Sequence, residues 1–206
     1  MVVYVETNFL LELAYQQEES AACERLVQAA ADGQIRLYIP VFSIVEARVA
    51  WRRQTKQRAE LLATLRRELR ELTRSRPHAE LSAKSTDLVA ALVGAGEEDR
   101  RRLEVAISAV EGFGTVLPLD ATGVRSAYGA ENRLNLSAQD ATVYASVREH
   151  LPRAGDGPKC FLNRNSRDFA NPEIVDEFEQ FGCKVLSSFA AGEGYVRSFV
   201  RAGSDG

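Results

Sequence analysis

Hydrophobic and polar positions follow two alternating rhythms along this chain. Val2 to Val5 run apolar without a break and, with Glu6 and Thr7, predict a short buried strand. From Asn8 to Ala31 the apolar positions Leu11, Ala14, Ala22, Leu26 and Ala30 keep a helical spacing that Asp32-Gly33 closes. Ile35 to Pro40 predicts a second strand, stopped by proline, and a helix opens near Ser43. Leu61, Leu62, Leu65, Leu69 and Leu72 then form one apolar stripe among arginines and glutamates, ended at Ser75-Arg76-Pro77. Residues 80–93 and 97–112 predict two more helices, split at Gly94-Ala95-Gly96. The strand rhythm returns at 115–120, 159–163 and 184–188, with helices over 121–132, 137–150, 172–182 and 189–201 between and after. Strands alternating with helices predict an α/β fold: a three-layer α/β/α arrangement with a mostly parallel central sheet, plus a long all-helical insertion over 50–112.

Composition changes this picture little. A chain of 206 residues, 45% hydrophobic, suits one domain carrying an insertion. No apolar run is long enough to span a membrane, and the start, with Glu6 and no basic region, is not that of a signal peptide; a cytoplasmic protein is expected. Cys23, Cys160 and Cys183 are odd in number and lack metal-ligand spacing, which predicts reduced, mostly buried thiols. Charge is more informative. Residues 48–76 hold ten Lys/Arg against three acids, a net +7, whereas the rest of the chain, with 16 basic and 26 acidic residues, is −10. A basic arm on an acidic body suits a protein that steers a polyanion, although arginines also serve as a solvated helix face.

In a parallel sheet, functional groups gather at the carboxyl ends of strands. Glu6, Asn163 and Asn165 fall at such ends, while Glu46 and Asp140 lie in the first turns of helices. Asp168 follows in a polar turn. Such acids suit a hard divalent cation, which wants oxygen ligands, keeps several waters and can activate one of them against a phosphodiester. Each acid also has a plainer explanation. Ser43-Ile-Val-Glu46 and Ser137-Ala-Gln-Asp140 fit capping boxes, in which the carboxylate only satisfies backbone N–H groups. His78 and His150 make no zinc pattern, and no serine nucleophile has a visible partner.

Taken in order, these motifs resemble the PIN domain, a metal-dependent nuclease fold. Its opening Asp-Thr/Ser-x-x-Leu is matched by Glu6-Thr7-Asn8-Phe9-Leu10, and its glutamate early in a helix by Glu46 after Pro40-Val-Phe-Ser43. Ser137-Ala-Gln-Asp140-Ala141 and Leu162-Asn163-Arg164-Asn165-Ser166-Arg167-Asp168-Phe169 match the two later motifs. The resemblance covers about 1–50 and 113–190 and departs at Glu6, where the family has aspartate, and at Asn163 and Asn165. It implies a ribonuclease using Mg²⁺ or Mn²⁺, with Glu6, Glu46, Asp140 and Asp168 as catalytic and metal-binding groups. Thr7, Asn163 and Asn165 would orient waters or the substrate phosphate, and Arg66, Arg67 and Arg70 would contact RNA. A homo-oligomer and an inhibitory, antitoxin-like protein partner are compatible with it. The Glu6 and Asn165 departures also admit a PIN-like module that binds nucleic acid or a partner without cutting. A flavodoxin-like ligand domain is disfavoured by the lack of a Gly-rich phosphate loop.

Overall fold

The computed structural model describes residues 1–75, 77, 81–165 and 169–204, with side chains left out for 81–86 and 201–204. His78 and Asp168 lie outside the described residues.

Four apolar residues in a row make β1 (Val2–Val5), buried throughout because a central parallel strand is covered on both faces. Its neighbours are β2 (Arg36–Pro40) and β4 (Lys159–Leu162), and the sheet is completed by β3 (Thr115–Leu117) and β5 (Cys183–Leu186). The order is β3-β2-β1-β4-β5, and every pair is parallel. Alternation along each strand sorts side chains to two cores. Val3, Val5, Leu37, Ile39, Cys160 and Leu162 face α1 (Thr7–Tyr15), α2 (Ser20–Ala31) and the inner parts of α3 (Val41–Thr73) and α4 (Leu81–Phe113). That layer also includes α8 (Phe189–Ser204), seated on the sheet through Phe189. Val2, Tyr4, Leu117, Phe161 and Cys183 face α5 (Ala121–Leu134), α6 (Ala138–His150) and α7 (Pro172–Glu179). The layers are therefore helix, parallel sheet, helix. The close seat of α8 depends on Gly192, whose added Cβ would lie 2.5 Å from both Leu162 methyls.

Several sequence expectations are corrected. The helix expected over 8–31 is two helices, broken after Gln16, which adopts a left-handed conformation (φ 48°). Buried Glu12 accepts from the backbone N–H of Glu19 at 2.9 Å, folding the polar Gln-Gln-Glu-Glu stretch back on α1. No glycine or proline marks that break. Conversely, Gly94 and Gly96 do not split α4, which is continuous. Each glycine costs about 1 kcal/mol relative to alanine in a helix. The following turns are held by ion pairs of Arg100 with Glu97 and Glu104, and of Arg101 with Glu98. The strand expected over 115–120 ends at Leu117, because Pro118 offers no N–H and Asp120 caps α5, accepting from Thr122 and Gly123 at 2.9 Å each.

The helix expected near Ser43 begins at Val41, directly after β2, so Ser43 is no cap. It is fully buried, and its hydroxyl has no partner among the described residues. At 33 residues each, α3 and α4 are roughly 50 Å long and pair as an arm. Past Ala47, only Leu62 of α3 is buried, and among the described side chains of α4 none before Asp99 is. The leucine stripe is thus half covered at best, with Leu61 and Leu72 exposed. Arg58 bridges the two helices, donating to Asp99 at 2.6 Å. The three cysteines are buried and unpaired, and no described helix is long and apolar enough to cross a membrane.

Candidate functional site

The strand order reverses between β1 and β4: the chain builds outward from β1 to β2 and β3, then returns to β4 and β5. The carboxyl ends of the two strands at such a reversal leave a crevice. Glu6 is the first residue beyond β1 and caps α1, accepting from the Asn8 N–H at 2.8 Å through Oε2. Its other oxygen accepts from the backbone N–H of Arg164, just beyond β4, at 3.3 Å. Glu6 thus ties the two strand ends together while only 6% exposed. Burial raises its carboxyl to about 7; the Asn8 and Arg164 hydrogen bonds oppose this, and the negative charge of Glu46 adds to it.

Glu46 enters from the second turn of α3, where Thr7 Oγ1 donates to its Oε2. Its carboxyl is also raised, first by burial, against the Thr7 hydrogen bond; the charge of Asp140 raises it further and that of Arg53 lowers it. Asp140 stands in the first turn of α6. Its N–H donates to Ser137 Oγ at 3.1 Å, and the Ser137 hydroxyl donates to Oδ2 at 2.5 Å. Its Oδ1 accepts from Asn165 Nδ2 at 3.3 Å. Half of the capping box expected at Ser137 is present: the Ser137 hydroxyl caps α6, while the Asp140 carboxylate meets that hydroxyl in place of a backbone N–H and borders the crevice.

Glu6, Thr7, Glu46, Asp140 and Asn165 line a single cleft of about 370 Å³. Leu11, Phe42, Val45 and Val49 form an apolar side, and Gln139 and Arg53 complete the rim. Four segments far apart in sequence therefore meet where the strand order reverses. Asn163 is not on this cleft: it is buried at the end of β4, and neither side-chain polar atom has a partner among the described residues. Arg66, Arg67 and Arg70 do not line it either. They lie on the exposed outer part of α3, roughly 30 Å along the helix from Glu46. The cation at the cleft is Arg53, exposed and without an ion pair among the described residues. Its separation of seven from Glu46 places both on one helix face, a signal present in the sequence.

Buried Glu12 was also missed. The Arg164 guanidinium donates to it and lies 3.5 Å from Glu18, so the residue whose N–H meets Glu6 is anchored on both sides of α1's end. An acid inside the apolar run Leu10, Leu11, Leu13 was its sequence signature.

The donor set on the cleft is all oxygen, which suits Mg²⁺ or Mn²⁺ and not a soft ion. The carboxyls of Glu6 and Glu46 are both raised, first by burial and in smaller part by a neighbouring negative charge, which disfavours their charged forms. Among the described residues no three His, Cys, Asp or Glu groups close around one point, so a small ion would take one or two carboxylates directly and the others through water. Compared with protein-family models, curated proteins and solved structures, the chain matches none.

Proposed function

We propose that the cleft is the active site of a divalent-metal-dependent ribonuclease of PIN-domain type. The observation that carries this reading is the convergence of Glu6, Glu46, Asp140 and Asn165 on one cleft at the carboxyl ends of β1 and β4. Glu6, Glu46 and Asp140 would hold Mg²⁺ or Mn²⁺, with Asp168 as a fourth acid proposed from its motif alone. When bound, such an ion supplies a water acidic enough to attack phosphorus and neutralises charge on the phosphate. The chain's own groups do the positioning. Thr7 fixes one oxygen of Glu46, Ser137 and Asn165 fix both oxygens of Asp140, and the Arg164 N–H fixes Glu6. Rigid ligands of this kind spare reorganisation during the reaction. Arg53 would offer a guanidinium to the scissile phosphate from the α3 face that carries Glu46.

The test is cleavage of RNA by purified protein in Mn²⁺, with EDTA and Asp140→Asn as controls. Cleavage that needs metal and vanishes in the variant supports the reading, and its absence in wild type overturns it. A second reading, a PIN-like module that binds nucleic acid or a protein without cutting, is favoured by one feature. The carboxylates of Glu6 and Glu46 are already engaged, by Asn8 and Thr7, and no three acids close around a point among the described residues. RNA binding without cleavage at any metal concentration would select it.

A further inference from the structure

The +7 segment is not uniformly basic around its helix. On α3, Lys56 is paired with Glu60, Arg58 with Asp99, Arg67 with Glu68 and Arg74 with Glu71. Arg48, Arg52, Arg66 and Arg70 are exposed and meet no acid among the described residues; Arg70 touches only the Arg66 carbonyl, at 3.4 Å. At about 100° per residue these four fall within roughly 40° of one another. Ala59 and Ala63 occupy the same face between the two pairs. The acids Glu60, Glu68 and Glu71 point about 100° or more away, towards or beyond the side that carries Glu46 and Arg53. Exposed Leu61 and Leu72 point to the far side. Charge is therefore segregated into a ridge of two pairs of free guanidinia, roughly 33 Å end to end with about 21 Å between Arg52 and Arg66. The inner pair lines a groove against α4 and not the cleft, Arg48 standing about 160° around the helix from Glu46. Across the groove at that end, Glu104 is held by Arg100 at 2.9 Å, and Glu111 stands beside it.

We infer that this ridge binds the sugar-phosphate backbone of a polynucleotide strand on a face of α3 separate from the cleft, and that about ten nucleotides span it at ~3.4 Å per stacked nucleotide. The substrate's chemical class rests on the ribonuclease reading, whereas the ridge itself does not. Arginine forks match phosphate oxygens, and two pairs of them on one helix face hold a backbone through charge; Trp51, which lines the inner pair's groove, is half-buried. A membrane surface would need a broad apolar face along the cations, whereas the ridge has Ala59 and Ala63 between its pairs and exposed Val45 and Val49 only at its inner end. The sequence expectation is thereby revised. Arg66 and Arg70 belong to the ridge with Arg48 and Arg52, and Arg67, paired with Glu68, does not.

The test measures binding in EDTA, by fluorescence anisotropy over a salt series, of oligouridylates of about 4 and about 16 nucleotides. The longer probe should show the steeper dependence of log affinity on log salt. Replacing Arg48, Arg52, Arg66 and Arg70 together by Gln should lower that slope by about 3 and bring the affinity of the long probe down to that of the short one. A matched variant with Gln at Lys56, Arg67, Arg74 and Arg101 removes the same formal charge from paired positions and should lower the slope by less than half as much. Thermal melting of both variants checks that α3 and α4 still fold. Equal losses in the two variants, or none in the first, would overturn the ridge. So would an acidic peptide of equal charge that binds as tightly and is lost in the same variant, since the partner would then be a protein. Binding needs no metal, so a protein that fails to cleave leaves this result readable.

Discussion

Glu6 carries a titration that the fold itself must feel. Its carboxyl sits at about 7 in the folded chain against an ordinary 4.5, with burial as the largest cause. A group whose folded value is raised contributes stability that is fully present below its unfolded value and is lost as pH rises through the folded one. The window is therefore pH 4.5 to 7. Across roughly two and a half pH units at ~1.4 kcal/mol each, the metal-free protein should lose about 3 kcal/mol from this residue alone. Glu6→Gln cannot titrate and keeps one oxygen, which can accept from the Asn8 or the Arg164 N–H but not both, since they meet different oxygens of Glu6. Any weakening of those bonds is a constant offset that cancels between two pH values. Urea denaturation in EDTA near pH 4.5 and pH 8 should therefore show the stability of wild type falling by about 3 kcal/mol more than that of the variant. Parallel pH profiles would refute the argument, because a carboxylate comfortable in its charged state has no proton to lose. Mn²⁺ added at pH 8 supplies a second arm: it should restore stability in wild type, where the charged form gains a partner, and restore less in Glu6→Gln.

Three further outcomes follow from other positions. Gly192→Ala puts a methyl into the Leu162 side chain and should destabilise by about 1–3 kcal/mol; an unchanged melting temperature would mean that α8 shifts freely on the sheet. Arg53→Gln should weaken RNA binding at the cleft roughly tenfold or more while leaving the fold intact, and equal affinity would remove Arg53 from the substrate path. His150, whose Nδ1 meets the Tyr4 hydroxyl at 2.8 Å, is held below its ordinary 6.5 by burial and then by Arg153 and Arg36. Its stabilising contribution is thus present above pH 6.5 and lost as pH falls through the folded value. An NMR titration of its ring with a midpoint above 6.5 would contradict that.

What the sequence made legible was periodicity. The uninterrupted apolar run of β1 and the proline that stops β2 are local signals, and both strands form where expected. The alternation of strand and helix carried the parallel sheet with them. What it hid was anything decided by a partner distant in sequence. The break after Gln16 depends on Glu12 turning inward to the Glu19 N–H and to Arg164, a residue far along the chain. The continuity of α4 through Gly94 and Gly96 runs against helix propensity, and the turns that follow carry ion pairs of Arg100 and Arg101 with Glu97, Glu98 and Glu104. Strand ends behaved likewise: β3 stops where Asp120 prefers to cap α5, a competition that the residues state but do not resolve alone.

The candidate site was legible for a different reason, and at Glu6 a helix cap and a place on the cleft coincide. Capping and metal binding were set against each other at Glu46 and Asp140. The structure removes the cap at Glu46, which instead receives the Thr7 hydroxyl, and at Asp140 leaves the capping to Ser137, whose hydroxyl accepts the Asp140 N–H and donates to its carboxylate. At Glu6, which was read as an uncapped strand-end acid, it adds one. A carboxylate that caps a helix must sit at the helix's N-terminus, and in a parallel α/β sheet the helix that follows a strand begins at that strand's carboxyl end. The same requirement that satisfies backbone N–H groups therefore delivers the acid to the crevice between β1 and β4. Capping alone would favour the charged form, through the N–H groups and the helix dipole. Burial at Glu6 outweighs that preference and leaves the group near neutrality, a cost that a structural cap in solvent, such as Asp120, does not carry: its carboxyl is lowered by the N–H groups of Gly123 and Thr122. The contrast between these two caps in one chain, one exposed with its charged form favoured, the other buried beside a second acid, is what singles out Glu6 as a ligand of the proposed metal site.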